Sequence, residues 1–166
     1  RGEEQEEEQQ EEQEEQQQDE LSLLYNVPEG REVLLSIADR YNNYRGYVDV
    51  DGSCFNNLDQ GIGHINMETE QAGTTDLQYL GSVHNTLAGN YIEVHDAVDE
   101  VSGTLDLGTC YLRDASGVTV GEIQKTGVVT GHAGSFLGQF EGFSYELLRV
   151  VALYLMLIDP GMLNEH

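Results

Sequence analysis

The stretch GVVTGHAGSFLGQFEG, residues 127–142, decides the fold. Glycines stand at 127, 131, 134, 138 and 142, with Val128, Val129, Thr130, Phe136 and Phe140 among the residues between them. Glycine costs stability inside a regular element, so this density marks sharp bends and close backbone approach. The β-branched and aromatic residues in between suit a pleated strand better than a helix. The stretch predicts a hairpin-rich β-barrel corner. Residues 145–158, apolar almost throughout, predict a last strand beside it.

Upstream, short strands and turns alternate back to Arg31. Turn chemistry at Pro28-Glu29-Gly30, Asp51-Gly52, Gln71-Ala72-Gly73, Ala88-Gly89-Asn90, Ser102-Gly103 and Asp114-Ala115-Ser116-Gly117 separates stretches rich in Val, Ile, Leu, Thr and Tyr. Within residues 104–112, Leu105, Leu107, Thr109 and Tyr111 fall on one face of a strand and Asp106, Gly108, Cys110 and Leu112 on the other. No amphipathic helix and no repeat of fixed period stand out. The fold class is all-β, a small antiparallel barrel of about eight strands.

The 166 residues suffice for one domain with a substantial core. Residues 1–21 are an acidic Glu/Gln-rich tail and residues 22–166 the barrel domain. The first 20 residues hold 11 acidic side chains against one Arg, without an apolar residue, which predicts a solvated coil that a basic protein partner could order. The whole chain carries −24, of which −14 lies beyond residue 20. Such a balance excludes nucleic-acid wrapping, because too few cations are present to neutralise phosphates. No apolar run reaches the length of a membrane-spanning helix. The chain begins at Arg1 without Met, which reads as a processed protein, with a secretory or plastid setting ahead of the cytosol. Cys54 and Cys110 leave two readings open, one disulfide or two buried thiols.

Residues 150–158 are unusual in being apolar on both faces of a strand. Val150, Ala152, Tyr154, Met156 and Ile158 fill one face, and Val151, Leu153, Leu155 and Leu157 the other. A barrel strand buries one face only, so the second needs a cover. Subunit packing is the simplest, which makes Val151, Leu153, Leu155 and Leu157 the expected interface of a homo-oligomer.

The spacing Thr130-Gly131-x-x-Gly134-x-Phe136-x-Gly138 resembles the glycine motif of allene oxide cyclases, and Val128, Val129, Gly131, Gly134 and Phe136 resemble that of dirigent proteins. The likeness covers residues 80–158. It implies an eight-stranded barrel, often trimeric, with an apolar cavity, and it marks Gly131, Gly134, Phe136 and Gly138 as fold-determining. Plant allene oxide cyclases carry a glutamate and an asparagine on the first strand; the matching positions here are Leu34 and Ser36. The carboxylate that would steer ring closure is replaced.

Candidate polar groups for the cavity are His64 and Glu68 on one strand, Glu93 and His95 on another, with Tyr111 and His132. Imidazole and carboxylate at alternate or fourth positions share a strand face, so the two pairs suit acid/base or metal chemistry if they point inward. The competing reading is a half-exposed antiparallel wall with polar residues outward. Asp49-Val50-Asp51-Gly52-Ser53 has the start of a calcium loop, but position 12 is Gln60, so it reads as a hairpin turn. No G-x-S-x-G elbow surrounds Ser135 and no Gly-Lys-Ser/Thr follows the glycines. No metal and no cofactor is assigned. The expected function is a non-catalytic barrel that binds a small apolar ligand or serves as an oligomeric structural or accessory subunit. The alternative, by resemblance, is a cyclase or isomerase acting on an apolar substrate.

Overall fold

The computed structural model describes Val27, Pro28 and residues 30–164. The expectation for the acidic tail lies outside the described residues. Among the described residues twelve strands form one closed antiparallel barrel in which each strand pairs with its neighbours in sequence and the last with the first. The strands are β1 (Val33–Asp39), β2 (Tyr44–Asp49), β3 (Ser53–Asn56), β4 (Gly61–Asn66), β5 (Gln71–Gly73) and β6 (Tyr79–Asn85). They continue as β7 (Tyr91–Asp96), β8 (Val101–Asp106), β9 (Tyr111–Asp114), β10 (Thr119–Ile123), β11 (Val128–Gly131) and β12 (Phe136–Glu141). The barrel class agrees with the sequence; the count of about eight does not. The strands that sequence reading misses are short and polar, such as Ser53–Asn56 and Gln71–Gly73, and residues 104–112 are not one strand but two around a turn at Gly108.

The wall is a sixfold repeat of one hairpin. Asp39, Asn56, Thr74, Asp96, Asp114 and Gly131 each open a turn whose backbone carbonyl accepts the N–H of the residue three later. That residue is Asn42, Asp59, Leu77, Asp99, Gly117 or Gly134, and each has φ between 59° and 85°. Type I turns closed by a left-handed residue join strands with the twist a barrel wants. The opening side chain reinforces the five that do not start on Gly131: the carboxylate of Asp114 accepts the N–H groups of Ser116 and Val118 at 2.9 and 3.0 Å. Four residues beyond each left-handed position comes a glycine on the returning strand: Gly46, Gly63, Gly81, Gly103, Gly121 and Gly138. A one-residue β-bulge immediately precedes every one of them, at Arg45, Ile62, Leu80, Ser102, Val120 and Leu137. Bulges sharpen bending and twist, so one per hairpin curls the sheet until it closes.

A barrel of eight strands is just filled by its own side chains, and a wider one encloses spare volume. Here residues 145–158 fill it. They form not a strand but a 3₁₀ turn (Tyr145–Leu147), helix α1 (Leu148–Leu153) and a π-helical turn (Tyr154–Ile158) that run through the barrel. A helix apolar on every side but that of Arg149 is stable only where it is surrounded, and the barrel surrounds it. Val151, Leu153 and Leu155 are fully buried against wall residues such as Leu35, Ile65, Val94, Leu112 and Phe140. The cover expected from a second subunit is supplied by the same chain, so the apolar stretch no longer argues for an oligomer. Each such leucine contributes about 1.5–3 kcal/mol by burial, and Tyr154 adds an edge-on contact with Phe140 at 5.6 Å between ring centroids.

The glycines make room for this plug. A Cβ at Gly63 would lie 2.6 Å from Ile158 Cδ1, at Gly81 2.7 Å from Leu157 Cδ1, and at Gly138 2.7 Å from Cε of Met162 in the 3₁₀ turn Pro160–Leu163 that continues the plug. Gly103 has the same relation to Met156, at 2.9 Å. The plug is tied at both ends. Arg149 donates to Glu70 and Asn85 near the helix start, and Arg45 pairs with Asp159 past its end.

Candidate functional site

The filled interior decides where a site can be. Inward positions are apolar, and the polar residues expected to line a cavity stand on the outer face. His64 lies between the inward Gly63 and Ile65 and sits outside, 3.1 Å from the Asp51 carbonyl. Glu68 is beyond the end of β4, in the turn that Asn66 caps. Tyr111 faces solvent on β9 and His132 is exposed in the last hairpin turn. These four are not brought together. The alternation that suggested a lined cavity is the ordinary outward face of a half-exposed antiparallel wall.

Glu93 and His95 do meet, and they belong to a larger cluster on the outside of β6 and β7. In the register of this pair Ser82 stands opposite His95 and His84 opposite Glu93. All four side chains therefore share one patch of wall, with the inward Ile92 and Val94 holding β7 beneath them. The His84 and His95 rings stack with centroids 3.8 Å apart and planes 19° apart. The β7–β8 turn brings in Asp99, which occupies its left-handed position with φ 63°. Asp96 fixes that turn by accepting the N–H groups of Val98 and Glu100, both at 3.0 Å.

Asp99 Oδ1 lies 2.7 Å from His95 Nδ1 and 3.8 Å from His84 Nε2. Glu93 Oε1 lies 3.5 Å from His95 Nε2. From the other side Tyr79 donates its hydroxyl to Ser82 Oγ at 2.8 Å, and Ser82 Oγ is 3.0 Å from His84 Nε2. If Ser82 passes its proton along that chain, it occupies the His84 Nε2 lone pair and the ring proton sits on Nδ1. The carboxylates beside His95 set its charge. The hydrogen bond that Asp99 accepts from it, then the one that Glu93 accepts, hold its pKa above the ordinary histidine value against partial burial. The same contact holds the Asp99 carboxyl below its ordinary range.

A serine, a histidine and an aspartate in contact invite comparison with a hydrolytic triad, and the geometry rejects it. In a triad the acid binds the imidazole nitrogen that the serine does not use. Here Ser82 and Asp99 both approach His84 Nε2. What the arrangement can do is present nitrogen and oxygen donors to one point. His84, His95 and Asp99 each offer a ligand atom, all within 4.8 Å of one another.

A second concavity, about 350 Å³, lies at the end of the barrel where the plug finishes, between Asp39, Tyr44, Arg45, Asn56, Ile158 and Asp159. Burial pushes the Tyr44 hydroxyl up to about 12, and Arg45 is held by Asp159, so the cleft presents a neutral phenol and a neutralised ion pair.

No protein-family model, curated protein or solved structure matches the chain. The motif Gly131, Gly134, Phe136 and Gly138 is the last copy of the spacing present in all six hairpins, where Gly134 supplies the left-handed position and Gly138 the glycine next to the plug. No helix among the described residues is long and apolar enough to cross a membrane.

Of the cluster, sequence reading finds Glu93 and His95 and misses His84, Ser82 and Asp99. The pattern Ser82-x-His84 opposite Glu93-x-His95 is visible in the sequence, but only the register makes them neighbours. Asp99 is not singled out in the sequence. The repeat position of Asp99 in the hairpin is the signal that would have placed it.

Proposed function

We propose that this protein is a non-catalytic structural or accessory module that works through its outer surface. The observation that carries the reading is the helical plug: the volume in which a barrel of this kind would hold an apolar ligand is taken by Leu153, Tyr154 and Leu155 of the same chain. An interior ligand would have to displace side chains whose burial contributes several kcal/mol in sum. No carboxylate or imidazole is buried among the described residues, and the buried Ser82 belongs to the outer cluster. The surface is acidic, with −14 beyond residue 20, which suits a basic protein partner over an anionic one.

Native mass spectrometry of the protein purified from its own source tests this. The bare polypeptide mass, or the polypeptide bound to a basic protein, supports a surface-acting module. A stoichiometric apolar small molecule that co-purifies and is released on denaturation overturns it.

A further inference from the structure

We propose that His84, His95 and Asp99 form a binding site for a first-row divalent transition metal of the zinc type on the outer wall of the barrel. The site goes beyond the structural role above, and neither depends on the other.

The donor set selects the class of cation. Two imidazole nitrogens and one carboxylate oxygen suit zinc, nickel or copper; magnesium and calcium prefer oxygen alone. Tetrahedral ligands about 2.0–2.1 Å from zinc stand about 3.3 Å from one another. The observed separations from Asp99 Oδ1, 2.7 Å to His95 and 3.8 Å to His84, lie on either side of that value. Asp99 is the movable member, its side chain 79% exposed, whereas His95 is 15% exposed and held by its strand. Rotation of that carboxylate evens out its two distances, and His84, 43% exposed, turns out of its stack on His95 so that both in-plane lone pairs reach one ion.

Two neighbours act as orienting partners. Glu93 lies against His95 Nε2, so it accepts that N–H and leaves Nδ1 for the metal. A carboxylate behind a ligating imidazole is the usual second-shell arrangement and fixes the tautomer. On the other histidine the Tyr79–Ser82 chain keeps Nε2 unprotonated, and a metal there takes over the lone pair to which Ser82 otherwise donates. A metal there would displace the proton that His95 Nδ1 shares with Asp99. Three protein ligands on a face open to solvent leave a fourth position, which water or a side chain of a docked protein would fill.

The test is calorimetric titration of the untagged full chain with zinc chloride, with calcium chloride as comparison. The expected result is one zinc site per chain that His84→Ala, His95→Ala or Asp99→Asn weakens by more than the roughly 10–100-fold that loss of an outer-shell partner costs. Glu93→Gln should fall inside that range, and His64→Ala, on β4, should bind as the parent does. Zinc binding unchanged in the His84→Ala/His95→Ala double variant overturns the proposal, because the metal then sits on the acidic surface at large. Calcium binding as tightly as zinc overturns it too. Should a variant fold poorly, imidazole resonances of the parent chain decide: zinc should shift two histidines, and shifts spread equally over all five, or none, overturn the site.

Discussion

Arg45 and Asp159 form a two-pronged ion pair, Nε to Oδ2 at 2.5 Å and Nη2 to Oδ1 at 2.8 Å, that closes one end of the barrel over its own plug. Arg45 is the bulged residue of the first hairpin and Asp159 the first residue past the π-helical turn. The pair thus links the bulge that bends the wall to the end of the element that fills it. Its hydrogen bond to Asp159 raises the Arg45 pKa further above its ordinary value. Asp159→Asn removes the charge and one strong acceptor, leaving a half-buried guanidinium underpaired. Hydrogen bonds to charged groups are worth about 1.5–3 kcal/mol, and partial exposure brings the expected loss to about 1–2 kcal/mol, read as a lowered urea midpoint.

Two glycines separate backbone strain from crowding. Gly117 has φ +85° with nothing within 4 Å of an added Cβ, so Gly117→Ala should cost about 1–2 kcal/mol, the left-handed penalty alone. Gly81 combines φ +155° with a Cβ position 2.0 Å from the His95 carbonyl and 2.7 Å from Leu157. Backbone cannot move aside as a side-chain end can, so Gly81→Ala should cost about 3 kcal/mol or more, at the upper end of overpacking. Equal urea midpoints for the two variants would show that the glycine does not set the spacing between wall and plug.

Leu155 is fully buried within the barrel. Leu155→Ala should lower stability by about 2–5 kcal/mol, the range for a large-to-small change in a core that cannot collapse. Leu155→Lys should give no folded barrel, because an ammonium there has no partner. A folded Leu155→Lys protein whose assembly is smaller than the parent's would restore the interface role that the sequence suggests. Circular dichroism and size-exclusion chromatography distinguish the outcomes.

How far the sequence carries the fold is clearest at residues 147–158. Arg149 apart, the segment shows two apolar faces as a strand and an apolar surface all round as a helix. A continuous apolar run does not choose between these by periodicity. Its length favours a helix, but the absence of any amphipathic helix elsewhere weighs toward strands. The choice is made by the barrel, whose interior is wide enough to need an occupant only because it has twelve strands. That number is hidden in turn: Gln71–Gly73 has three residues and no β-branched side chain. The hairpins were legible where Asp-Ala-Ser-Gly or Gly-His-Ala-Gly marked them. They were obscured where Asn42, Leu77 or Asp99 takes the left-handed position that glycine takes elsewhere. The His84–His95 cluster depends on register, which no local pattern specifies.

The cysteines should behave as thiols. Cys54 is fully buried and Cys110 half-buried, and the structure leaves both free. Burial pushes the Cys54 thiol up to about 12 and raises Cys110 as well. Since the thiolate is the reactive form, a thiol reagent near neutral pH should label the native protein slowly and both cysteines after unfolding. Rapid labelling of Cys54 in the native protein would place it outside the core.

The metal-free cluster should give the protein a pH dependence of definite sign. His95 titrates above the ordinary value of about 6.5 when folded, so the native state holds its proton more tightly than the unfolded chain. Its contribution to stability is then fully present below pH ~6.5 and is lost as pH rises through the folded value. Asp99→Asn removes the principal cause and should move the His95 titration down toward the ordinary value while flattening that part of the stability profile. Histidine proton resonances followed against pH, in the parent and in Asp99→Asn, measure both. A His95 titration that the substitution leaves unmoved would mean that Asp99 does not hold its proton.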